Sequence, residues 1–149
     1  MNERVDVVHV SLPTAGEPRA MSELERELGA LRHGFAEICV DIGGFPVLTA
    51  LVNGDVGWLM LQRYDGDAGF SSRNVAYLGD PRAVVSYTLS NGQIDEYPRA
   101  WTYSRTRILD AVRHFGQHGR VPDDIAWFND SGDGAASPSA AAGQSGRVR

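Results

Sequence analysis

The chain has 149 residues, 42% of them hydrophobic, a length and composition that suit a single domain with one core. Its 14 basic and 19 acidic residues give a formal charge of -5, which argues against a protein that neutralises nucleic-acid phosphates by itself. Cys39 is the only cysteine, which excludes an intrachain disulfide and a cysteine-rich zinc site. The sequence shows neither a signal-peptide pattern nor a segment able to span a bilayer, so we expect a cytoplasmic protein.

The N-terminal segment predicts a strand followed by an amphipathic helix. Residues 5–12 are rich in β-branched side chains and stop at a proline, a pattern typical of a strand that can lie at a sheet edge. Ser22 and Glu25 have the spacing of a capping box, and leucines recur after them at helical intervals. The sequence therefore predicts a helix that begins at Ser22 and ends at Gly34.

The middle of the chain predicts strands separated by one tight turn and one polar loop. Residues 36–42 alternate apolar and polar side chains, which indicates a half-buried strand. Residues 45–64 form two strands, apolar on both faces, that are joined at Asn53–Gly54 and placed centrally in the sheet. Residues 64–74 are predicted to form a polar loop, and a short strand is expected at residues 75–79.

The C-terminal half predicts a second hairpin, a second helix and a last strand. Residues 83–98 read as two short strands around an Asn91–Gly92 turn. Ser104 is placed to cap a helix and Gly119 to end it, and residues 125–128 alternate as a short final strand. With the first half, this pattern predicts an α+β fold.

The whole pattern predicts one domain and a tail. We expect residues 1–130 to form a single α+β domain, with two main helices packed against a mostly antiparallel sheet of about five to seven strands. Residues 131–149 are rich in glycine, alanine and serine, and they lack the apolar content needed to offset the entropy of ordering them. They are therefore predicted to be a flexible tail.

The second predicted helix carries a polar stripe that could perform chemistry. Asp110, His114 and His118 fall four residues apart, so a helix would stack them along one side, as a metal or a proton relay requires. A zinc-protease pattern would place a glutamate directly after the first histidine, where this chain has Phe115. A solvated stripe is the simpler interpretation, so we expect no catalytic residue, no metal and no cofactor. A small metal-dependent enzyme stays as the alternative.

Two acidic, glycine-containing segments each match part of a calcium-binding loop. Residues 65–69 and 129–134 both lack the complete frame and its closing bidentate glutamate. We therefore expect ordinary turns at both places.

Other segments set aromatic side chains among carboxylates, a pattern typical of protein-binding surfaces. In this pattern the acidic groups are expected to face basic groups of a partner, and the aromatic rings are expected to anchor it. An alternative for Trp101 is that it covers the core at the crossing from hairpin to helix. The candidate contact residues are Tyr64, Asp65, Asp67, Phe70, Asp95, Glu96 and Trp101.

The stretch from the second hairpin to the last strand contains a short motif. A strand pair leads through a proline-containing segment to a helix, and a G-x-x-P-x-x-I-x-W pattern follows, carried by Gly119, Pro122, Ile125 and Trp127. In these features, residues 75–128 resemble the first numbered family of immunity proteins from bacterial polymorphic toxin systems. The resemblance implies an α+β fold, no catalysis and tight binding to a cognate toxin, with Trp127 as a core anchor.

In that family the toxins are often nucleic-acid deaminases and in other cases nucleases. We therefore expect a protein that neutralises such a toxin by occluding its substrate groove, and that binds neither nucleic acid nor a membrane directly. An acidic chain suits this role, because the groove of an enzyme acting on DNA or RNA is basic. The alternatives are the metal-dependent enzyme using Asp110, His114 and His118, and a protein-binding adaptor whose partner is not a toxin.

Overall fold

The computed structural model describes residues 4–138, which form two α-helices, nine strands and one short 3-10 helix. In chain order they are β1 (Val5–Leu12), α1 (Pro18–Gly29), β2 (Phe35–Ile42), β3 (Val47–Asn53), β4 (Val56–Gln62), β5 (Phe70–Arg73), β6 (Val84–Thr88), β7 (Ile94–Pro98), the 3-10 helix Arg99–Trp101, β8 (Tyr103–Ser104), α2 (Arg105–His118) and β9 (Ala126–Asn129).

Seven of these strands form one mixed sheet in the order β1-β2-β3-β4-β5-β9, with the short β8 paired beside β5 along β4. Only β1 and β2 pair in parallel among the described strands, and α1 supplies the crossover that a parallel pair requires. All the other pairs are antiparallel. The α+β class and the expected number of strands are confirmed, as is the edge position of β1.

One face of the sheet packs against both helices. Alternate side chains of the central strands, such as Ile38 on β2 and Leu59 on β4, are fully buried there. Leu24 from α1 and Phe115 from α2 meet them, and both are also fully buried. This is the main hydrophobic core, and it holds the predicted leucine face of α1.

The opposite face of the sheet packs against the β6–β7 hairpin, which forms a separate two-stranded sheet. Val85 and Tyr87 of β6 are buried against Leu51 and Trp58 of the main sheet. The ring of Tyr97 stacks on Trp58 with the centroids 4.1 Å apart. The hairpin is therefore held by a second, smaller core, and it covers only part of this sheet face.

The predicted bounds of the first helix are wrong at both ends. The helix begins at Pro18, because the Glu17 side chain accepts the Ala20 backbone N–H at 2.7 Å and proline fits the first helical turn. Ser22 therefore lies inside the helix and caps nothing. At the other end the helix stops at Gly29, well before Gly34, whose backbone has a positive φ of 153°.

The predicted strand at residues 75–79 is also wrong. That segment is a loop, and the strand lies earlier, at Phe70–Arg73, inside the predicted polar loop. The reason is tertiary: β5 is hydrogen-bonded to β4 on one side and to β9 on the other, and these pairings outweigh its serine content. The predicted loop of residues 64–74 therefore ends at residue 69, immediately before β5.

The second helix agrees with prediction. The Ser104 side chain accepts the Arg107 N–H at the start of α2, and Gly119 ends the helix in the left-handed region with φ 74°. Ile125 is buried, and Trp127 is half-buried and packs against the main core. Of the predicted tail, residues 131–135 are bonded to Asn129 at the end of β9 and to Arg63, and residues 139–149 lie outside the described part of the chain.

Candidate protein-binding surface

The outward side of the β6–β7 hairpin is unusually apolar for a solvent-facing surface. Successive side chains of a strand point to opposite faces, so Val84 points outward because Val85 and Tyr87 face the sheet. Ile94 and Glu96 of β7 pair with outward-facing residues of β6 and therefore point outward as well. Val84 is 54% exposed and Ile94 is 62% exposed. Two β-branched side chains thus flank a carboxylate on a small, rigidly packed sheet.

The loop that follows β5 adds two more exposed apolar side chains. Val75 is 87% exposed and Leu78 is 98% exposed. The base of this loop is fixed by two hydrogen bonds of Asn74. Its backbone N–H donates to the Ala100 carbonyl, and its side-chain amide donates to the Thr102 carbonyl. The apolar groups are therefore presented to solvent by an anchored loop.

The adjoining β5, β9 and 3-10 helix contribute an arginine on aromatic rings. The Arg73 guanidinium carbon lies 3.5 Å from the centroid of Trp101 and 4.8 Å from that of Phe128. Phe128 is 52% exposed. We call these groups of the hairpin and of the elements that follow or adjoin it the hairpin surface, and it consists of Arg73, Val75, Leu78, Val84, Ile94, Glu96, Trp101 and Phe128.

Among residues 4–138, eight large hydrophobic side chains are exposed, and five of them belong to the hairpin surface. None of the eight lies on α1 or α2. Exposed apolar groups that gather on one side of a folded protein are candidates for an interaction site. Most of the exposed large hydrophobic side chains thus lie on the hairpin side of the molecule.

Carboxylates around the hairpin are bonded to neutral donors. Glu96 accepts from the Ser86 hydroxyl at 3.1 Å, and Asp95 accepts from the Gln93 side-chain amide at 2.6 Å. The other two such groups, Glu37 and Asp130, accept from the Ser90 N–H and the Ser71 hydroxyl. Within the described part of the chain none of the four forms a salt bridge, although Asp130 lies close enough to Arg73 for their charges to interact.

The predicted contact residues are divided by the structure. Asp95, Glu96 and Trp101 lie on or beside the hairpin surface. Tyr64 and Asp65 are exposed, but they lie in the loop after β4, and no described contact links them to the hairpin.

Two of the predicted contact residues face inward, which corrects their expected role. Phe70 is fully buried, opposite Leu61 in the sheet. Asp67 is only 4% exposed, and its carboxylate is held by Arg63 through Nε at 2.7 Å and Nη2 at 2.9 Å. Their placement on a strand and against an arginine leaves neither free to contact a partner.

Arg63 also joins the two segments that match parts of a calcium loop. Its Nη1 lies 2.8 Å from the Asp133 carboxylate, and its Nη2 donates to the Ser131 hydroxyl. The guanidinium thus binds the Asp67 and Asp133 carboxylates, which a calcium ion would need as ligands. The Arg63 hydrogen bonds outweigh burial and lower the pKa of Asp67 from 3.8 to about 2.

The polar stripe on α2 does not form a donor cluster. The Asp110 carboxylate accepts from Arg113 at 3.2 Å, and the rings of His114 and His118 lie 4.5 Å apart between centroids. Burial, followed by the charge of His118, lowers the pKa of His114. No group of three histidine, cysteine or acidic side chains within residues 4–138 is arranged to hold a metal ion.

A serine, an aspartate and a histidine meet on the open half of the sheet face, a cluster that sequence spacing did not reveal. Asp41 accepts from Ser11 at 2.6 Å and lies 3.5 Å from the His9 ring nitrogen. The aspartate is thus in the middle, so the histidine does not contact the serine as a nucleophile's base must. Burial, and then the charge of Asp41, raise the pKa of nearby Cys39, which disfavours a reactive thiolate.

No protein-family model matches the sequence, and no curated protein matches it. The resemblance to the immunity-protein family therefore stays a prediction. Neither of the described helices has the length and apolar character needed to cross a membrane.

Proposed function

We propose that this chain is an immunity protein, which binds a cognate toxin one-to-one through the hairpin surface and neutralises it. The observation that carries the proposal is the concentration of exposed apolar side chains and unpaired carboxylates on one side of the molecule. Apolar anchors such as Leu78 and Ile94 would supply buried contact area. The chain itself would perform no catalysis.

The charge distribution supports a basic partner. The formal charge of the chain is -5, and Glu37, Asp95, Glu96 and Asp130 around the hairpin are free of described salt bridges. An acidic protein is steered towards a basic one, and buried contacts then set the lifetime of the complex. A toxin that acts on DNA or RNA needs a basic substrate groove, which this surface would occlude.

The toxin class comes from the resemblance of residues 75–128 to immunity proteins. On that basis the proposed partner is a nucleic-acid deaminase, or otherwise a nuclease, and both proteins would meet in the cytoplasm. The same surface would also serve an adaptor with a non-toxin partner. The two differ in one respect, because an immunity protein is encoded beside its toxin.

The metal-dependent alternative gains no supporting observation. Asp110 is bonded to Arg113, and the stripe offers two imidazoles rather than a complete ligand set. Alanine at His114 or His118 is expected to leave toxin protection unchanged. Zinc at one equivalent in the purified protein, lost with His114→Ala, would favour the enzyme instead.

The test is co-expression with the toxin domain encoded beside this gene. Cells that carry the toxin alone should die, cells that also carry this chain should survive, and the two proteins should purify as an equimolar complex. Variants Ile94→Asp and Leu78→Asp should lose protection, whereas Ser22→Asp on α1 should keep it. Failure of the parent chain to bind or protect would reject the immunity role, and equal protection by all variants would reject only the surface.

A further inference from the structure

The hairpin surface contains one cation that has a carboxylate nearby but forms no direct salt bridge with it. Among the described residues, Arg26, Arg32, Arg63, Arg107 and Arg113 each form a salt bridge with a carboxylate. Arg73 forms none and is partly buried, and it is the arginine of the hairpin surface. The other described arginines without a salt bridge are Arg4, Arg19, Arg82, Arg99, Arg105 and Arg120.

The bonds that Arg73 does form use only one of its nitrogens. Its Nη1 donates to the Ser71 hydroxyl and to the Ser72 backbone carbonyl, each at 2.9 Å. The Asp130 carboxylate is linked to Arg73 only through Ser71, because it accepts a hydrogen bond from the same Ser71 hydroxyl. Within residues 4–138 the Nε and Nη2 groups have no described acceptor. A fork of donors is therefore left open.

The surroundings fix that fork in place. The guanidinium rests on Trp101 at 3.5 Å, and Trp101 in turn lies 6.0 Å from Tyr97 in the second core. Phe128 contacts the guanidinium as well, at 4.8 Å. A guanidinium held on aromatic rings loses little further entropy when it forms two parallel bonds to a carboxylate.

We propose that Arg73 receives a carboxylate of the bound toxin, within a surface that otherwise meets basic groups. The inference rests on the proposed function and adds to it the chemistry of one contact. The partner surface would then carry an acidic side chain surrounded by basic ones. This pattern gives specificity, because a purely basic surface would place a cation against Arg73.

The inference predicts opposite effects of one variant on folding and on binding. In Arg73→Met the side chain still covers Trp101 and Phe128, and a partly buried charge without a direct salt bridge is removed. The melting temperature should therefore be unchanged or higher. The complex with the neighbouring toxin domain should dissociate at least about tenfold faster, because a carboxylate on the toxin loses its partner.

The experiment measures melting temperature and surface-binding kinetics for Arg73→Met, Arg73→Lys and the control Arg113→Met. Arg113 pairs with Glu25 and Asp110 on the helix side, so its variant should bind like the parent. Arg73→Lys should bind more weakly than the parent, because an ammonium lacks the planar fork. A further variant, Arg73→Glu, is combined with toxin variants in which each acidic residue in turn is replaced by arginine. Binding should be restored at one position of the toxin only.

Three outcomes would reject either the role of Arg73 or the proposed function. Parent-like dissociation of Arg73→Met and Arg73→Lys overturns the inference but leaves the immunity role standing. A marked fall in the melting temperature of Arg73→Met assigns Arg73 a structural role and also overturns it, whether or not any toxin binds. Absence of binding by the parent chain rejects the proposed function itself.

Discussion

The helix side and the hairpin side of this protein treat their surface charges in different ways. On the helix side, Arg113 bridges Glu25 of α1 and Asp110 of α2, and Arg107 pairs with Asp124. On the hairpin side, carboxylates bond to neutral donors, and Arg73 lies on aromatic rings without a direct salt bridge. A surface that stays in water can balance its own charges, whereas a surface left unbalanced suits a partner that completes it.

Apolar exposure separates the two sides in the same way. The helices bury their leucine and phenylalanine faces against the sheet and show water their polar stripes. The hairpin buries one face and still leaves Val84 and Ile94 exposed on the other. Because paired charges and exposed apolar groups fall on opposite sides, substitutions on each side should have separable effects.

The largest expected effect is on stability and involves Phe70. Because this ring is fully buried, Phe70→Ala should lower the free energy of unfolding by about 3 to 5 kcal/mol, as measured by urea denaturation. The exposed Phe128 is the matched control, and Phe128→Ala should cost less than about 1 kcal/mol. Equal costs for the two variants would contradict the division between core and surface.

The next effect concerns the Arg63 ion pairs and pH. Since the pKa of Asp67 is lowered from 3.8 to about 2 in the folded state, its stabilisation is complete above about pH 4 and is lost as pH falls through 2. Asp67→Asn should therefore lose about 2 kcal/mol at neutral pH and show a flatter stability profile between pH 4 and 2. A profile identical to that of the parent chain would contradict this assignment.

A smaller effect, on binding alone, is expected at the apolar groups of the hairpin surface. Ile94→Ser and Leu78→Ser should leave stability within about 0.5 kcal/mol, because neither side chain is buried. Each should weaken the complex with the toxin by roughly tenfold, the loss expected for an anchor worth about 1.4 kcal/mol. Isothermal titration would measure both affinities, and unchanged values would move the interface elsewhere.

The smallest effect is expected from a charge at the rim. Glu96→Lys should slow association severalfold at low salt and reduce the dependence of the rate on salt, with little change in dissociation. Glu23→Lys on α1 makes the same change of charge far from the hairpin and serves as control. Equal slowing by both variants would mean that net charge, and no particular surface, steers the encounter.

The sequence predicted the elements whose signals are local. Ser104 and Gly119 mark the ends of α2 through their own capping chemistry, and alternation marks β2. The true start of α1 also had a local signal, in Glu17 followed by Pro18, but the Ser22–Glu25 spacing competed with it. β5 had no such signal, because its pairing on both sides is decided by the fold.

The candidate site was less accessible to sequence reasoning. Phe70 and Asp67 fit a surface pattern, and only the position of β5 and the reach of Arg63 show that both are buried. Arg73 and Phe128 are far apart in sequence and meet because β5 pairs with β9. For Val75 and Leu78 the β-branched and apolar character indicated a strand, and the loop that exposes them depends on Asn74 contacts across the chain.

Hydrogen exchange of the free chain and of its complex with the neighbouring toxin domain tests the central claim most directly. If the hairpin surface is the interface, binding should slow exchange at residues 74–80, 94–101 and 126–129 and leave the outer turns of α1 unchanged. Protection confined to Pro18–Gly29 and Arg105–His118 would place the partner on the helix side and contradict the account.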